Sequence, residues 1–68
     1  MPMHDELVNE IAEFIKRSPH GVSIQDVARE FKITRYTANG LLGILIGSGR
    51  VGVRKIGPVM VHYPKGGE

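Results

Sequence analysis

The 68-residue sequence contains no cysteine and no tryptophan, and its aromatic residues are two tyrosines and two phenylalanines. Without cysteine the chain has no disulfide and no thiolate metal ligand, which fits a reducing compartment. No apolar run approaches the roughly 20 residues of a membrane-spanning helix, and the start of the chain lacks the pattern of a signal peptide. We therefore expect a cytoplasmic protein that makes no membrane contact.

The sequence is also poor in groups that perform catalysis. It has no glycine-rich phosphate loop between a strand and a helix. His4, His20 and His62 fall on different predicted elements, so no histidine pair has the spacing of metal ligands. Asp26 and Glu30 share a helix face, where two carboxylates are ordinarily solvated. We therefore predict that the protein is not an enzyme and uses no metal and no cofactor.

The length allows one domain, near the lower size limit for a core without disulfides or metals. We assign residues 1–64 to this domain and residues 65–68, which show no pattern, to a disordered tail or linker. Oligomerisation is an expectation for so small a core, because pairing would bury surface that a monomer leaves exposed.

A first amphipathic helix is predicted from about Asp5 to Arg17. Its apolar stripe repeats at helical spacing and consists of Leu7, Val8, Ile11, Phe14 and Ile15. The turn-forming residues 18–21 end this helix. Val22, which follows them, is placed to pair as a very short strand with the end of the chain.

A second, shorter helix is predicted over about residues 24–31. Ser23 and Asp26 have the spacing of an N-terminal cap. The apolar residues behind the cap recur at helical spacing and are Ile24, Val27, Ala28 and Phe31.

A third helix is predicted from its N-cap, Thr34, to about Ser48. Its inward stripe consists of Ala38, Leu41, Leu42 and Leu45. Only Lys32, Ile33 and Thr34 separate it from the preceding helix. A connection this short, with Ile33 packed beneath it, indicates a helix-turn-helix.

After residues 47–49 the apolar pattern changes from helical to alternating, which predicts a β-hairpin. Residues 57–58, Gly and Pro, allow a tight reversal, and we place Arg54 and Lys55 at the tip. The predicted inward-facing residues are Val51, Val53, Val59, Val61 and Tyr63. His62 is predicted to be half-exposed.

Several positions resemble one family. Ala28 matches the small residue usual in the first helix of a helix-turn-helix, Ile33 the apolar turn position, and Ala38 and Leu41 the buried positions of the second helix. With the valine-rich hairpin, residues 7–64 resemble the winged helix-turn-helix domains of small prokaryotic, archaeal-type transcriptional regulators. The resemblance implies an α+β, mainly α fold: a three-helix bundle with a helix-turn-helix, followed by a two-stranded β-hairpin wing.

The resemblance also implies a function, sequence-specific binding of double-stranded DNA in transcription regulation. Residues 34–48 would lie in the major groove as the recognition helix, and residues 50–63 would lie on the flanking backbone as the wing. One position departs from the family pattern, because Lys32 occupies a turn position often held by glycine. We therefore expect a turn made without a residue that favours positive φ.

Charge divides the chain into two halves. Residues 1–30 contain six acids and three bases, a net charge of −3, whereas residues 31–68 contain six bases and one acid, a net charge of +5. Neutralising phosphates and releasing counterions supplies most of the sequence-independent affinity for DNA. The segregation favours a phosphate-binding face; an uneven distribution by chance is the alternative.

Seven residues are the candidate DNA contacts: Lys32, Thr34, Arg35, Tyr36, Asn39, Arg54 and Lys55. We expect Lys32 and the two hairpin cations to contact phosphates. Arg35, Tyr36 and Asn39 are expected to read bases or fix the register. For the hairpin cations the alternative is a charged strand edge that discourages aggregation.

Three glycines give the predicted recognition helix an unusual outward face. Gly40, Gly43 and Gly47 lie opposite the apolar stripe beside Tyr36, and each costs roughly 0.5–1 kcal/mol relative to alanine. Small residues would let the helix sink into a major groove, would accept a partner helix, or would simply lower stability. The alternative function is therefore a protein-interaction or homodimerisation module that uses Gly40, Gly43, Ile44, Ile46 and Gly47.

RNA binding is a further alternative that shares the electrostatics. Readers of single-stranded RNA stack bases on exposed aromatic residues. Phe14 and Phe31 are predicted to be buried, so the sequence lacks such a platform.

Overall fold

The structure, a computed structural model, describes the backbone of residues 2–65 and the side chains of residues 6–65. This part of the chain forms α1 (Pro2–Lys16), β1 (Val22–Ser23), α2 (Ile24–Phe31), α3 (Arg35–Gly47), β2 (Val51–Ile56) and β3 (Val59–Pro64). The strands make one antiparallel sheet in the order β1–β3–β2, so the architecture is α+β. The three predicted helices, the hairpin and the short strand at Val22 are confirmed.

α1 begins at Pro2, three residues before the predicted start. Proline suits the first turn of a helix, because its missing N–H would have no acceptor within the helix. After the helix, the Ser18 hydroxyl donates a hydrogen bond to the carbonyl of Phe14 over 2.9 Å.

Within the described residues, no helix combines the length and the apolarity needed to cross a bilayer.

The core lies between the three helices and one face of the sheet. Its largest fully buried side chains are Ile11, Ile15, Val27, Leu42, Leu45 and Val51. Ala38 and Leu41 complete the inward stripe of α3, as predicted. Phe14 and Phe31 pack edge to face with ring centroids 5.6 Å apart, and they are half-buried rather than buried as predicted.

The N-terminus of α2 forms the reciprocal cap that the sequence indicates. The Ser23 hydroxyl accepts a hydrogen bond from the Asp26 N–H, and the Asp26 carboxylate accepts one from the Ser23 N–H, both over 3.1 Å. Two backbone donors that the helix leaves unpaired are thereby satisfied. The cap fixes the first residue of α2.

The predicted inward face of β3 is wrong. Cross-strand partners share a face, and β2 pairs with β3 through Val53 opposite His62 and Gly52 opposite Tyr63. His62 and Val51 are buried on the core face. On the other face, Val61 and Tyr63 are half-buried and Val59 is exposed. The alternating sequence of β3 allows either face inward, because a shift of one residue exchanges the two sets.

The burial of His62 is stabilised by a hydrogen bond to β1. Its Nδ1 lies 3.1 Å from the carbonyl oxygen of Val22, and only 6% of the residue is exposed. A carbonyl can only accept, so Nδ1 carries the proton. The half-exposed position predicted for His62 is therefore wrong. The hydrogen bond to β1 offsets the cost of removing a polar ring nitrogen from water.

The sheet ladder continues into the segment predicted as a tail. Pro64 is the last residue of β3, and the N–H of Lys65 donates to the carbonyl of Arg50 over 3.0 Å. The rest of the predicted tail, residues 66–68, lies outside the described residues.

The turn between α1 and β1 requires glycine for two separate reasons. Gly21 has φ +88°, and a Cβ built on it would overlap Cγ1 of Val61 and lie 3.0 Å from the carbonyl oxygen of His62. Gly49 has a similar φ of +83° but open space around the same position. A side chain at Gly49 would therefore meet backbone strain alone, whereas a side chain at Gly21 would meet backbone strain and steric overlap.

We expect Gly49→Ala to lower the free energy of unfolding by about 1–2 kcal/mol, because the left-handed region is costly for alanine. Gly21→Ala should cost about 2–4 kcal/mol, since overpacking against β3 adds to the same strain. Urea denaturation followed by circular dichroism measures both variants. Equal losses would contradict the close approach of Gly21 to β3.

Candidate functional site

The junction between α2 and α3 is closed by Lys32 in a left-handed conformation, with φ 55° and ψ 46°. The N–H of Ile33 donates to the carbonyl of Ala28 over 3.0 Å, and the N–H of Lys32 points to the carbonyl of Arg29 over 3.4 Å. This is the Schellman arrangement, which usually places glycine at the left-handed position. The turn therefore requires a positive φ, and Lys32, a residue that does not favour this conformation, adopts it.

Thr34 is the N-cap of α3, as predicted. Its Oγ1 accepts a hydrogen bond from the N–H of Thr37 over 3.0 Å and donates one to Oγ1 of Thr37 over 3.0 Å. This hydroxyl is therefore engaged within the chain. Its structural task is to begin α3 directly after the turn.

The first turns of α3 expose three of the predicted site residues. Arg35, Tyr36 and Asn39 are all exposed, and Tyr36 is 89% exposed, which leaves its ring almost without contacts inside the chain. Tyr36 and Asn39 line a shallow depression together with Gly40 and Ile44. The depression is open to solvent along the face of α3 that points away from the core.

The glycines of this face are not required by packing within the chain. A Cβ built on Gly40, Gly43 or Gly47 meets nothing within 4 Å, and none of the three has a positive φ. The same face exposes 54% of Ile44 and 38% of Ile46. The face is therefore smooth, apolar in part and unoccupied by other described residues.

The hairpin does not place Arg54 and Lys55 together at its tip. Both lie inside β2, which continues to Ile56, because the ladder persists to the pair Ile56–Val59 beside the turn. Since successive residues of a strand point to opposite faces, the two side chains diverge. The expected tip position for these two cations is therefore wrong.

Arg54 lies on the outer face of the hairpin with Tyr63. Its guanidinium carbon is 5.7 Å from the centroid of the Tyr63 ring, a cation–π distance. The ring in turn covers Gly52, where a Cβ would lie 2.5 Å from Cζ of Tyr63. Gly52 and Tyr63 were not predicted as site residues, because their contact depends on the register of the hairpin, which the alternating sequence leaves open.

The site cations are free of acidic partners in the described structure. Among the side chains of residues 6–65 the one ion pair joins Arg29 and Asp26 over 3.5 Å, and it is largely exposed. Exposed pairs of this kind contribute little to stability. Lys32, Arg35 and Arg54 therefore keep their full charge available to a ligand.

The predicted site residues form two groups rather than one cluster. Tyr36 and Asn39 meet at the depression on α3, whereas Arg54 lines a separate cleft beside Pro19, His20 and Tyr63. No arrangement of three or more His, Asp or Glu side chains in the described part of the chain could hold a metal ion. Every buried side-chain nitrogen and oxygen described has a hydrogen-bond partner.

Comparison with known proteins gives no relative: no protein-family model, no curated protein and no solved structure matches the chain.

Replacing Lys32 by glycine should raise the free energy of unfolding by about 1 kcal/mol, because glycine adopts the left-handed conformation without the strain that a side chain meets. Lys32→Gln keeps the strain, removes the charge and should stay within about 0.5 kcal/mol of the parent. Urea denaturation compares the three proteins. A Lys32→Gly protein no more stable than Lys32→Gln would contradict the described turn.

Alanine at Gly40 or Gly43 should stabilise the protein by about 0.5–1 kcal/mol each, because both positions are helical and open. The effects should be additive in the double variant within a few tenths of a kcal/mol, since alanine side chains at these positions meet nothing. Thermal and urea unfolding provide the measurement. Destabilisation by either substitution would mean that something occupies this face in solution.

Proposed function

We propose that the chain is a winged-helix protein that binds double-stranded DNA and acts in transcription regulation. The observation on which this depends is the exposure of Arg35, Tyr36 and Asn39 at the start of a helix whose opposite face is buried. α3 is thereby held rigidly by the core, while a polar and aromatic surface faces outward. A helix presented in this way fits the major groove of B-DNA.

The three exposed residues have distinct roles in the proposal. Asn39 makes paired hydrogen bonds to an adenine edge, and Arg35 binds a guanine edge or a phosphate. Tyr36 contacts a thymine methyl group or a phosphate. Gly40 and Gly43 let the helix backbone approach the base edges closely.

Flanking contacts come from cations outside α3. Lys32 lies immediately before the N-cap and binds a phosphate beside the groove. Arg54 on the hairpin binds the neighbouring backbone as part of the wing. Lys55 points to the opposite face of the hairpin from Arg54 and makes no DNA contact in this proposal. The absence of acidic partners for these cations within residues 6–65 supports this distribution.

A second candidate is supported by the apolar part of the same face. Ile44 and Ile46 are exposed on either side of the glycines, which would suit a close contact with a partner helix or a second copy of the chain. In that case Gly43→Arg should abolish self-association in sedimentation velocity without changing the circular dichroism spectrum. DNA binding and dimerisation are compatible, since dimers bind paired half-sites.

A salt titration with a random-sequence duplex tests the proposed function. With three or four phosphate contacts, affinity should fall about 40- to 150-fold between roughly 50 and 200 mM salt. Lys32→Gln should reduce the slope by about one unit. Lys16→Gln, which removes an exposed charge from α1, is the matched control and should leave the slope unchanged.

Specificity is tested after selecting a preferred duplex from a random library. Asn39→Ala should weaken binding to the selected site by about 1–3 kcal/mol and leave random-duplex affinity nearly unchanged. The absence of duplex binding at low salt, with the protein folded, would exclude the DNA-binding proposal and favour the partner-helix alternative.

A further inference from the structure

A second concave site lies away from α3, between the outer face of the hairpin and the turn that follows α1. The cleft measures about 240 Å³. Pro19 and His20 form one wall, and Arg54, Val61 and Tyr63 form the other. Gly21 brings the walls together, because its backbone approaches β3 too closely for any side chain.

The hairpin wall of this cleft is built as a stack of three layers. Gly52 is the base, and the Tyr63 ring covers it, with Cζ and Oη 2.5 and 2.6 Å from the position a Cβ would take. The guanidinium of Arg54 is the third layer, 5.7 Å from the ring centroid. A cation–π contact of this kind favours one position of the guanidinium group and leaves its N–H donors available to a ligand.

The chemistry of the cleft suits an anion. Arg54 supplies up to five N–H donors, and Tyr63 and His20 add a hydroxyl and an imidazole. None of the residues lining the cleft is acidic, and Arg54 has no carboxylate partner among the side chains of residues 6–65. A planar guanidinium group matches phosphate geometry through two parallel hydrogen bonds.

We propose that this cleft binds a phosphate group, with Arg54 as the principal donor. Tyr63 is a positioning residue that fixes the guanidinium plane, and His20 closes the site from the opposite wall. The source of the phosphate rests on the proposed function: in a DNA complex it is a backbone phosphodiester, and otherwise it is free phosphate. The hairpin thus docks on its outer face, and Lys55 takes no part.

The first experiment uses inorganic phosphate and the full ¹⁵N-labelled chain. Titration against sodium chloride of equal ionic strength should shift the amide resonances of His20, Gly52, Arg54 and Tyr63, with an affinity in the millimolar range. Arg54→Gln should abolish these shifts. Lys55→Gln, which removes the same charge one residue away on the other face, should retain them.

The second experiment measures binding of a random duplex. Arg54→Gln should weaken it about tenfold and lower the salt slope by about one unit. Lys55→Gln should change it less than about twofold, with Lys16→Gln as the control for lost charge. The amide spectrum of each variant verifies that it is folded.

Variants of the stack separate positioning from charge. Tyr63→Phe keeps the ring and should lose less than about threefold in duplex affinity, whereas Tyr63→Leu should approach the loss of Arg54→Gln. Gly52→Ala changes no donor, but it displaces the ring and should behave like Tyr63→Leu. If Tyr63→Leu and Gly52→Ala bind as the parent does, the positioning role is wrong.

The outcomes distinguish this proposal from the proposed function. Equal losses for Arg54→Gln and Lys55→Gln, with no phosphate shifts in the cleft, would overturn the phosphate site and leave DNA binding in place. Phosphate shifts without any duplex binding would support the site, assign it to free phosphate and overturn the DNA-binding proposal. Neither binding event would overturn both.

Discussion

The burial of one stripe of α3 is the constraint on which the rest of the structure depends. Ala38, Leu41, Leu42 and Leu45 contact a core supplied by α1, α2 and β2, and each is at most 5% exposed. Burying these side chains contributes several kcal/mol in a domain whose total stability is of similar size. The same burial orients the opposite face of α3 to solvent. The feature that holds the fold together therefore also determines which residues can meet a ligand.

Local signals in the sequence predict most of the helical part. The Ser23–Asp26 pair and Thr34 place the two helix starts correctly, because capping depends on residues a few positions apart. The strand faces could not be read in this way, since β3 alternates apolar residues on both faces and its register depends on the turn. The burial of His62 depends on a carbonyl 40 residues away, which no local pattern reveals. The candidate residues on α3 follow from helix periodicity, whereas the Gly52–Tyr63–Arg54 stack requires knowledge of strand pairing.

Two positions oppose local stability and therefore invite a functional explanation. Lys32 occupies a left-handed position that glycine would fill without strain. Gly40 and Gly43 occupy open helical positions that alanine would fill with a gain in helix propensity. Both departures suit the proposed winged-helix function. Lys32 keeps a positive charge beside the DNA major groove, and the two glycines keep side-chain volume out of that groove. Departures from local preference commonly coincide with functional surfaces.

The position of β3 in the sheet has a consequence for the order in which the protein can fold. This last strand lies between β1 and β2, and Val22 pairs with His62, which lies 40 positions later in the sequence. On a ribosome the three helices emerge before the strand that completes the sheet. Until β3 is synthesised, β1 has no strand to pair with. The carbonyl of Val22, which later accepts a hydrogen bond from His62, is meanwhile hydrated. The nascent helical segment is thus an incomplete domain, and the sheet is completed only after residues 59–64 have been synthesised.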